Sequence, residues 1–95
     1  MANYILSQEA KEDLIRIHHF GVMKFGMRQA DEYFYDFFTC FERIARNPYS
    51  FQSIEHIRPG FRRCICGVDS IYFRLSSGKV EIIAIVGRQD LDKII

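Results

Sequence analysis

The second of two helical segments carries an almost continuous aromatic face, and this face constrains the fold more than any other feature. From about Met27 to Ala45, apolar side chains recur at spacings of three and four residues, the period of a helix with one buried side. The face comprises Ala30, Tyr33, Phe34, Phe37, Phe38, Phe41, Ile44 and Ala45. Because a stripe this wide has to be covered by a second layer, the remainder of the chain must supply one.

A first helix precedes the aromatic one. After the short apolar run Tyr4-Ile5-Leu6, Ser7 has the chemistry of an N-cap. Apolar or small residues then recur with helical spacing at Ala10, Leu14, Ile17, Gly21 and Phe25. Gly26 follows where a helix C-terminus favours glycine. The two segments are therefore predicted to form an antiparallel helical hairpin, the second helix ending before Asn47-Pro48.

The second layer comes from the C-terminal third, where the period changes to two. Segments 61–66, 70–75 and 80–86 read as strands, separated by turn signals at 67–69 and 76–79, while 49–60 reads mostly as loop. The predicted fold is α+β: an N-terminal strand and an antiparallel helical hairpin packed on a three- to four-stranded antiparallel sheet. Residues 1–95 are expected to form a single domain.

Charge distinguishes the two halves of the chain. The net charge is only +1, which argues against a general polyanion binder. Residues 1–55 carry six Lys or Arg against eight Asp or Glu, whereas residues 56–95 carry seven against four. Nine of the 13 basic residues are Arg, the side chain suited to bidentate contacts with carboxylate or phosphate. A basic surface is therefore expected on the strands.

The cysteine and histidine residues do not follow the spacings of known catalytic or metal-binding motifs. Cys64 and Cys66 would share one face of a strand, Cys40 falls in a helix, and all three are expected to be reduced. The adjacent His18 and His19 cannot form an i, i+4 metal pair. With no signal peptide and no long apolar run, the chain is expected to be cytoplasmic, without membrane contact, metal or other cofactor.

The arginines of the C-terminal half stand out from this background. They are Arg58, Arg62, Arg63, Arg74 and Arg88, all on the predicted strands or beside them. Arg62 and Arg74 are expected to share a face of the sheet. Rigidly held cations there could bind phosphate or an acidic protein segment, although an ordinary solvated sheet face would look the same.

Six short segments follow one another in a characteristic order along the chain. They are Tyr4-x-Leu6-Ser7-x-x-Ala10-x-x-Asp13-Leu14-x-x-Ile17, Phe25-Gly26-x-x-Gln29-Ala30-x-x-Tyr33, Asn47-Pro48, Gly60-Phe61-Arg62-Arg63-Cys64-x-x-Gly67, Ile71-Tyr72-Phe73-Arg74 and Val80-Glu81-Ile82-Ile83. Together, in register, they resemble the ParE toxins of the RelE/ParE superfamily of type II toxin–antitoxin systems. The resemblance spans nearly the whole chain. It implies the same order of strand, two helices and strands.

The resemblance implies one of two activities. The related RelE-type toxins are ribosome-dependent mRNA endonucleases with catalytic basic residues and a C-terminal tyrosine, whereas this chain has no Tyr after Tyr72, has Gln89 after Arg88, and has Asp69-Ser70 where a catalytic Arg would lie. These departures favour the ParE activity, a non-enzymatic poisoning of DNA gyrase that stabilises the gyrase–DNA cleavage complex. An mRNA endonuclease, or a degenerate toxin that binds only its antitoxin, remains the alternative.

The resemblance also implies two interaction surfaces. For the target, the candidate residues are Arg62, Arg63, Arg74, Arg88, Asp90 and Asp92. The second partner is a ParD-like antitoxin, an acidic and partly disordered protein that would form a hetero-oligomer with the toxin. The candidate antitoxin-binding residues are Ile15, Val22, Tyr35, Phe38 and Arg58, of which the apolar four could instead widen the core. No sequence-specific binding to nucleic acid is expected.

Overall fold

A computed structural model describes residues 3–87 of the chain. The elements, in order, are β1 (Tyr4–Leu6), α1 (Gln8–Phe25), α2 (Met27–Arg46), a 3-10 turn (Pro48–Ser50), β2 (Gln52–Ser53), β3 (Phe61–Cys66), β4 (Asp69–Ser76) and β5 (Lys79–Gly87). The predicted order of a strand, a helical hairpin and a meander is confirmed. Among these residues, neither helix is both long and apolar enough to cross a bilayer.

The sheet is larger and more varied than the sequence predicted. It has five strands in the order β1-β5-β4-β3-β2, where three to four were expected. It is also mixed, because β1 runs parallel to β5 while the other neighbouring pairs are antiparallel. The prediction missed β2 because this strand comprises only the polar residues Gln52 and Ser53, too few to show a period of two.

The ends of the helices follow the sequence signals. The Ser7 hydroxyl accepts a hydrogen bond from the Ala10 N–H at 3.0 Å and donates one to the Ile83 carbonyl at 2.7 Å, so the N-cap also ties α1 to β5. Gly26, at φ +94°, turns the chain from α1 into α2. The two helices approach closely where a Cβ on Gly21 would lie 3.2 Å from that of Ala30.

Two apolar clusters lie on opposite faces of the sheet. The inner face is covered by the helices, and its largest fully buried side chains are Phe37, Phe41, Ile44, Ile71, Phe73, Ile82 and Ile85. The outer face carries a smaller cluster of Ile54, Phe61, Tyr72, Ala84 and Val86, with Ile83 packed against it. The aromatic face of α2 therefore does meet the sheet, as the sequence predicted.

Strand β5 is apolar nearly throughout because apolar clusters cover both of its faces, and its pairing with β4 contains one irregularity. Tyr72 pairs with Ala84, but the next residue, Phe73, pairs with Ile82, so Ile83 is an extra residue in the ladder. Such a bulge puts two consecutive side chains on one face. As a result, Ile82 lies in the inner cluster while Ile83 and Ala84 lie on the outer face.

The edge of β5 is closed by α1 where β1 ends. Strand β1 pairs with β5 only as far as Leu6 opposite Ile82. Beyond that point the buried Asp13 carboxylate accepts the Ile85 N–H at 2.9 Å through Oδ2. Its Oδ1 lies 3.4 Å from an Arg16 guanidinium nitrogen. A backbone donor that would otherwise be unpaired is thus satisfied by a side chain of the hairpin.

Candidate functional site

The strand register separates two arginines that were expected to lie together. Arg62 stands opposite Phe73, and Arg74 stands opposite Phe61. Phe73 belongs to the inner cluster and Phe61 to the outer one. Because paired residues in a ladder share a face, Arg62 lies on the inner side of the sheet and Arg74 on the outer side. The expectation that they share a face is wrong. Arg62 and Arg74 belong to successive residue pairs of the β3–β4 ladder, and successive pairs point to opposite faces of the sheet.

Arg62 binds within the fold. A guanidinium nitrogen donates to the Phe51 carbonyl at 2.8 Å, and the group lies 5.0 Å from the ring centroid of Tyr49. These contacts hold the segment after α2 against the start of β3. A half-buried cation engaged in this way is better placed to stabilise the fold than to contact a target.

Three other arginines lie on the outer face, and we call them the outer arginine surface: Arg58, Arg63 and Arg74. Arg74 Nε lies 2.9 Å from a Glu81 carboxylate oxygen, and Arg63 donates to the Gln52 side chain at 2.7 Å. The Arg58 guanidinium lies 5.5 Å from the centroid of the Phe61 ring. Arg58, assigned from the sequence to the antitoxin surface, therefore lies beside the target candidates.

One polar atom of this surface lacks a hydrogen-bond partner in the described structure. Nε of Arg63 is buried and has no hydrogen-bond partner within residues 3–87. A buried guanidinium donor without an acceptor costs free energy. The remaining target candidates, Arg88, Asp90 and Asp92, lie outside the described residues.

The predicted antitoxin residues of the hairpin divide into two kinds. Ile15 and Tyr35 are each 68% exposed, which is unusual for such large apolar side chains. Val22 and Phe38 are half-buried. The Phe38 ring packs on Phe41 with centroids 5.4 Å apart, so it also contributes to the core.

A cavity lies elsewhere on the hairpin. This groove, as we call it, has a volume of about 620 Å³ and runs between α1, α2 and the β3–β4 turn. Its apolar lining includes Leu14, Ile17, Phe20, Phe25, Phe34 and Val68. None of Ile15, Val22, Tyr35 and Phe38 lines it. The groove was not predicted from the sequence, although the several large apolar residues near Gly26, more than a hairpin turn needs to bury, could have signalled it.

The end of the groove at the sheet is built around Tyr33. Its hydroxyl lies 2.7 Å from an Asp69 carboxylate oxygen and 2.8 Å from the Cys66 carbonyl oxygen, so one proton serves two acceptors. Burial, followed by the hydrogen bond to Asp69, raises the pKa of Tyr33 well above its ordinary value. Tyr33 therefore stays a neutral donor that ties α2 to the β3–β4 turn.

The three cysteines form a buried thiol cluster where α2 packs on β3. Cys40, Cys64 and Cys66 are all free and buried. Burial, with Cys40 nearby as the next cause, raises the pKa of Cys64 to about 11. Thiols held protonated in this way are poor nucleophiles and poor metal ligands. Across residues 3–87, no His, Cys, Asp and Glu side chains are grouped so as to hold a metal ion.

The sequence matches an established family over most of its length. Residues 4–92 match the family described as the ParE toxin of the type II toxin–antitoxin system parDE. The chain belongs to this ParE toxin family. The family resemblance inferred from the six sequence segments is confirmed, and the protein is a toxin of a type II toxin–antitoxin system.

Curated relatives agree with this membership. Toxin ParE1 of Caulobacter vibrioides is 35% identical over 86 residues, covering 90% of this chain and 88% of that protein. Toxin ParE1 of Mycobacterium tuberculosis is 27% identical over 94 residues, covering 97% and 96%. The similarity therefore extends over almost the full length of each relative.

Solved structures support the fold. A chain from the chromosomal ParDE toxin–antitoxin system of Pseudomonas aeruginosa superposes with a TM-score of 0.80 at 19% identity, covering 92% of this chain and 96% of that one. A conserved hypothetical protein of Helicobacter pylori gives a TM-score of 0.60 at 12% identity, covering 96% and 99%. Both matches support the observed fold, a helical hairpin on a sheet that is entered from an N-terminal strand.

Proposed function

We propose that this ParE toxin acts in the cytoplasm by binding DNA gyrase and stabilising the covalent gyrase–DNA cleavage complex, and that a ParD-like antitoxin neutralises it. The toxin would need no cofactor and would catalyse no reaction of its own. It would block replication because a trapped cleavage complex leaves a protein-linked break in the DNA.

The outer arginine surface is the observation that carries the proposal. Arg58, Arg63 and Arg74 stand around one apolar cluster on the outer face of the sheet. Arginine beside apolar and aromatic groups is the composition of energetic centres in protein interfaces. A large protein target with an acidic surface fits this arrangement.

Binding also fits the polar groups better than catalysis does. Asp69 stands near the position where the resemblance to RelE-type enzymes implies a catalytic Arg. Its side chain is buried on the inner side of the sheet and accepts a hydrogen bond from Tyr33. It therefore offers neither a cation nor a proton acceptor on the outer face. General acid–base catalysis needs such a group within hydrogen-bond reach of the substrate.

The antitoxin is the second partner that we propose. A toxin of a type II system implies an antitoxin partner, and the exposed apolar side chains of the hairpin suit a segment that folds on binding. Ile15 and Tyr35 remain candidate contacts because both are largely exposed. The resulting complex would be a hetero-oligomer in which the toxin is inactive.

A plasmid supercoiling assay tests the proposed target. The purified toxin is incubated with gyrase, relaxed plasmid and ATP, with and without later removal of protein from the DNA. We expect loss of supercoiling and accumulation of linear DNA. Arg63→Glu and Arg74→Glu should reduce both effects. The matched control is Arg46→Glu, because Arg46 is exposed on α2 and its nearest carboxylate, on Glu42, is 4.0 Å away.

Other outcomes would overturn the proposal in distinguishable ways. Unchanged supercoiling by a folded, antitoxin-binding toxin would exclude gyrase poisoning. If the same sample cleaved mRNA on translating ribosomes, the protein would be an endonuclease of the RelE type. If it did neither and still bound antitoxin tightly, it would be a degenerate toxin.

A further inference from the structure

Strand pairing lines up a row of side chains across the outer face of the sheet. Phe61 on β3 stands opposite Arg74 on β4, and Arg74 stands opposite Glu81 on β5. Because paired residues share a face, these three side chains form one row. Arg58 lies at the Phe61 end of the row, with its guanidinium 5.5 Å from the ring centroid. The row therefore places one carboxylate beside the outer arginine surface.

Glu81 engages Arg74 directly. The Nε of Arg74 lies 2.9 Å from a Glu81 carboxylate oxygen, and the two side chains are 48% and 30% exposed. Within residues 3–87, this contact is the only hydrogen bond or ion pair of the Arg74 guanidinium, a group with several N–H donors. Arg74 therefore has donors left for a second carboxylate, although the negative charge of Glu81 offsets its own positive charge.

The other two arginines of this surface have no carboxylate partner among residues 3–87. Arg58 faces the Phe61 ring, and Arg63 donates to the neutral side-chain amide of Gln52 at 2.7 Å. In the part of the chain that the structure describes, Glu81 is thus the one carboxylate that forms an ion pair with the outer arginine surface. Its charge lowers the attraction of this surface for an acidic partner.

The pair between Arg74 and Glu81 is of a kind that a partner displaces easily. Both side chains remain in contact with water, and partly exposed ion pairs are weak because water and salt screen their attraction. A carboxylate of a bound protein can therefore replace Glu81 on Arg74 without breaking a strong contact. Glu81 would then lie beside a second negative charge, so it would oppose binding.

We infer that Glu81 occupies Arg74 in the free toxin and is displaced from it by an acidic side chain of the target when the toxin binds. The inference depends on the proposed gyrase target and adds the chemistry of one contact. The apolar cluster around Phe61 favours a protein carboxylate over a DNA phosphate, because interfaces with DNA are more polar. Glu81 thereby limits affinity and selects partners that supply a competing carboxylate.

Removing the charge of Glu81 tests this competition. Glu81→Gln keeps the size of the side chain and an acceptor oxygen for Arg74 but loses the negative charge. Binding of the toxin to purified gyrase is measured by calorimetry, with and without DNA, at low and at high salt. We expect Glu81→Gln to bind gyrase without DNA about two- to fivefold more tightly than the unmodified toxin at low salt, with a smaller gain at high salt.

The matched control is Glu42→Gln, which changes the net charge of the toxin equally. The Glu42 carboxylate also lies near an arginine, 4.0 Å from Arg46, but both residues are on α2. This variant should bind gyrase like the unmodified toxin. An equal gain from Glu42→Gln would mean that net charge alone governs binding, and the inference would be wrong.

A double-mutant cycle shows whether Glu81 acts through Arg74. In an Arg74→Ala background there is no pair to displace, so Glu81→Gln should tighten binding by a clearly smaller factor. An equal gain in both backgrounds would mean that Glu81 repels the target while its contact with Arg74 stays intact, which contradicts displacement. Both positions are partly exposed, so the variants are expected to fold, and circular dichroism and melting temperature confirm it.

Three further results would overturn the inference and leave gyrase as the target. Weaker binding by Glu81→Gln would show that Glu81 positions Arg74 for the target instead of competing for it. Unchanged binding would place the pair outside the interface. A gain that appeared only with DNA would identify a phosphate as the competing group. If the unmodified toxin neither bound gyrase nor inhibited supercoiling, the proposed function would fail, and the inference with it.

Discussion

The ring of Tyr33 lies so close to Gly67 that a Cβ on this glycine would sit 2.6 Å from Tyr33 Cε1 and 2.7 Å from its hydroxyl oxygen. Gly67 also has φ +59°, which places it in the left-handed region that favours glycine. Gly67 is the first of the two residues that link Cys66 to Asp69. The positive φ of this turn and the close approach of Tyr33 on α2 both require a residue without a side chain at position 67.

Gly67→Ala is therefore expected to destabilise the protein by more than its backbone strain alone. The left-handed conformation costs about 1–2 kcal/mol for a residue with a Cβ, and overpacking against Tyr33 adds about 1–3 kcal/mol. Gly78→Ala is the control, because Gly78 has φ +76° but open space around it. Urea unfolding should show that Gly67→Ala lowers the free energy of unfolding by more than Gly78→Ala does. Equal decreases would contradict the contact with Tyr33.

Asp13→Ala should loosen the edge of β5. The substitution removes the acceptor of the Ile85 N–H and leaves that buried donor unpaired, which costs about 1–3 kcal/mol. Lys11→Ala, on an exposed position of the same helix, should stay within about 0.5 kcal/mol of the unmodified protein. Hydrogen exchange gives the local readout, since the Ile85 amide should exchange faster in Asp13→Ala. Unchanged exchange at Ile85 would argue against this role for Asp13.

Because its thiols are buried, we expect the protein to lose free energy of unfolding at high pH. The pKa of Cys64 rises from 9.0 to about 11 on folding, chiefly through burial, so the folded state keeps a proton that the unfolded state has released. The free energy of unfolding should thus be undiminished below pH 9 and fall between about pH 9 and 11. Cys66 and Tyr33 have raised pKa values as well and should act in the same direction.

Cys64→Ala isolates the part due to one thiol. The variant should show a shallower decline of the free energy of unfolding across that interval, by at most about 1.4 kcal/mol per pH unit. Denaturant unfolding at pH 8, 9 and 10 measures the slope. A variant that loses stability as steeply as the unmodified protein would show that Cys64 does not contribute.

Alanine variants of Arg62 and Arg74 should distinguish a residue that stabilises the fold from one that contacts the target. Arg62→Ala removes the hydrogen bond to the Phe51 carbonyl and the contact with Tyr49, so it should lower the free energy of unfolding by about 1–3 kcal/mol. Arg74→Ala loses only a partly exposed ion pair with Glu81 and should cost about 1 kcal/mol or less.

The same two variants are then compared in the gyrase assay at a temperature where both are folded. Arg74→Ala should inhibit supercoiling less than the unmodified toxin does, and Arg62→Ala should retain its inhibition. The reverse pattern would place the target surface on the inner side of the sheet. Thermal melts recorded in the assay buffer confirm that each sample is native.

The local elements of this protein could be predicted because each depends on a short-range pattern. The period of the aromatic face, the Ser7 cap and the Gly26 break define α1 and α2, and the same signals appear in the structure. The two hairpin turns of the meander also follow from local chemistry, since Gly67 and Gly78 adopt the positive φ that such turns need.

The sequence was not enough to predict which side chains lie on each face of the sheet. A one-residue change of register moves every side chain to the other face, and Ile83 is an extra residue that no propensity revealed. The position of Arg62 opposite Phe73 depends on how β3 pairs with β4, so its separation from Arg74 is visible only once the strands are paired.

Sequence patterns alone were enough to predict both helices, β1, the three strands of the meander, the two-layer architecture and, through six matching segments, the ParE family. The packed structure was needed to show β2, which arginines share the outer face, that β1 runs parallel to β5, and that Phe20, Tyr33 and Val68 line one groove. The difference lies in the range of the interactions. Caps, turns and periodicity act over a few residues, whereas faces and grooves form between segments that are distant in the chain and meet only when the helices pack on the sheet.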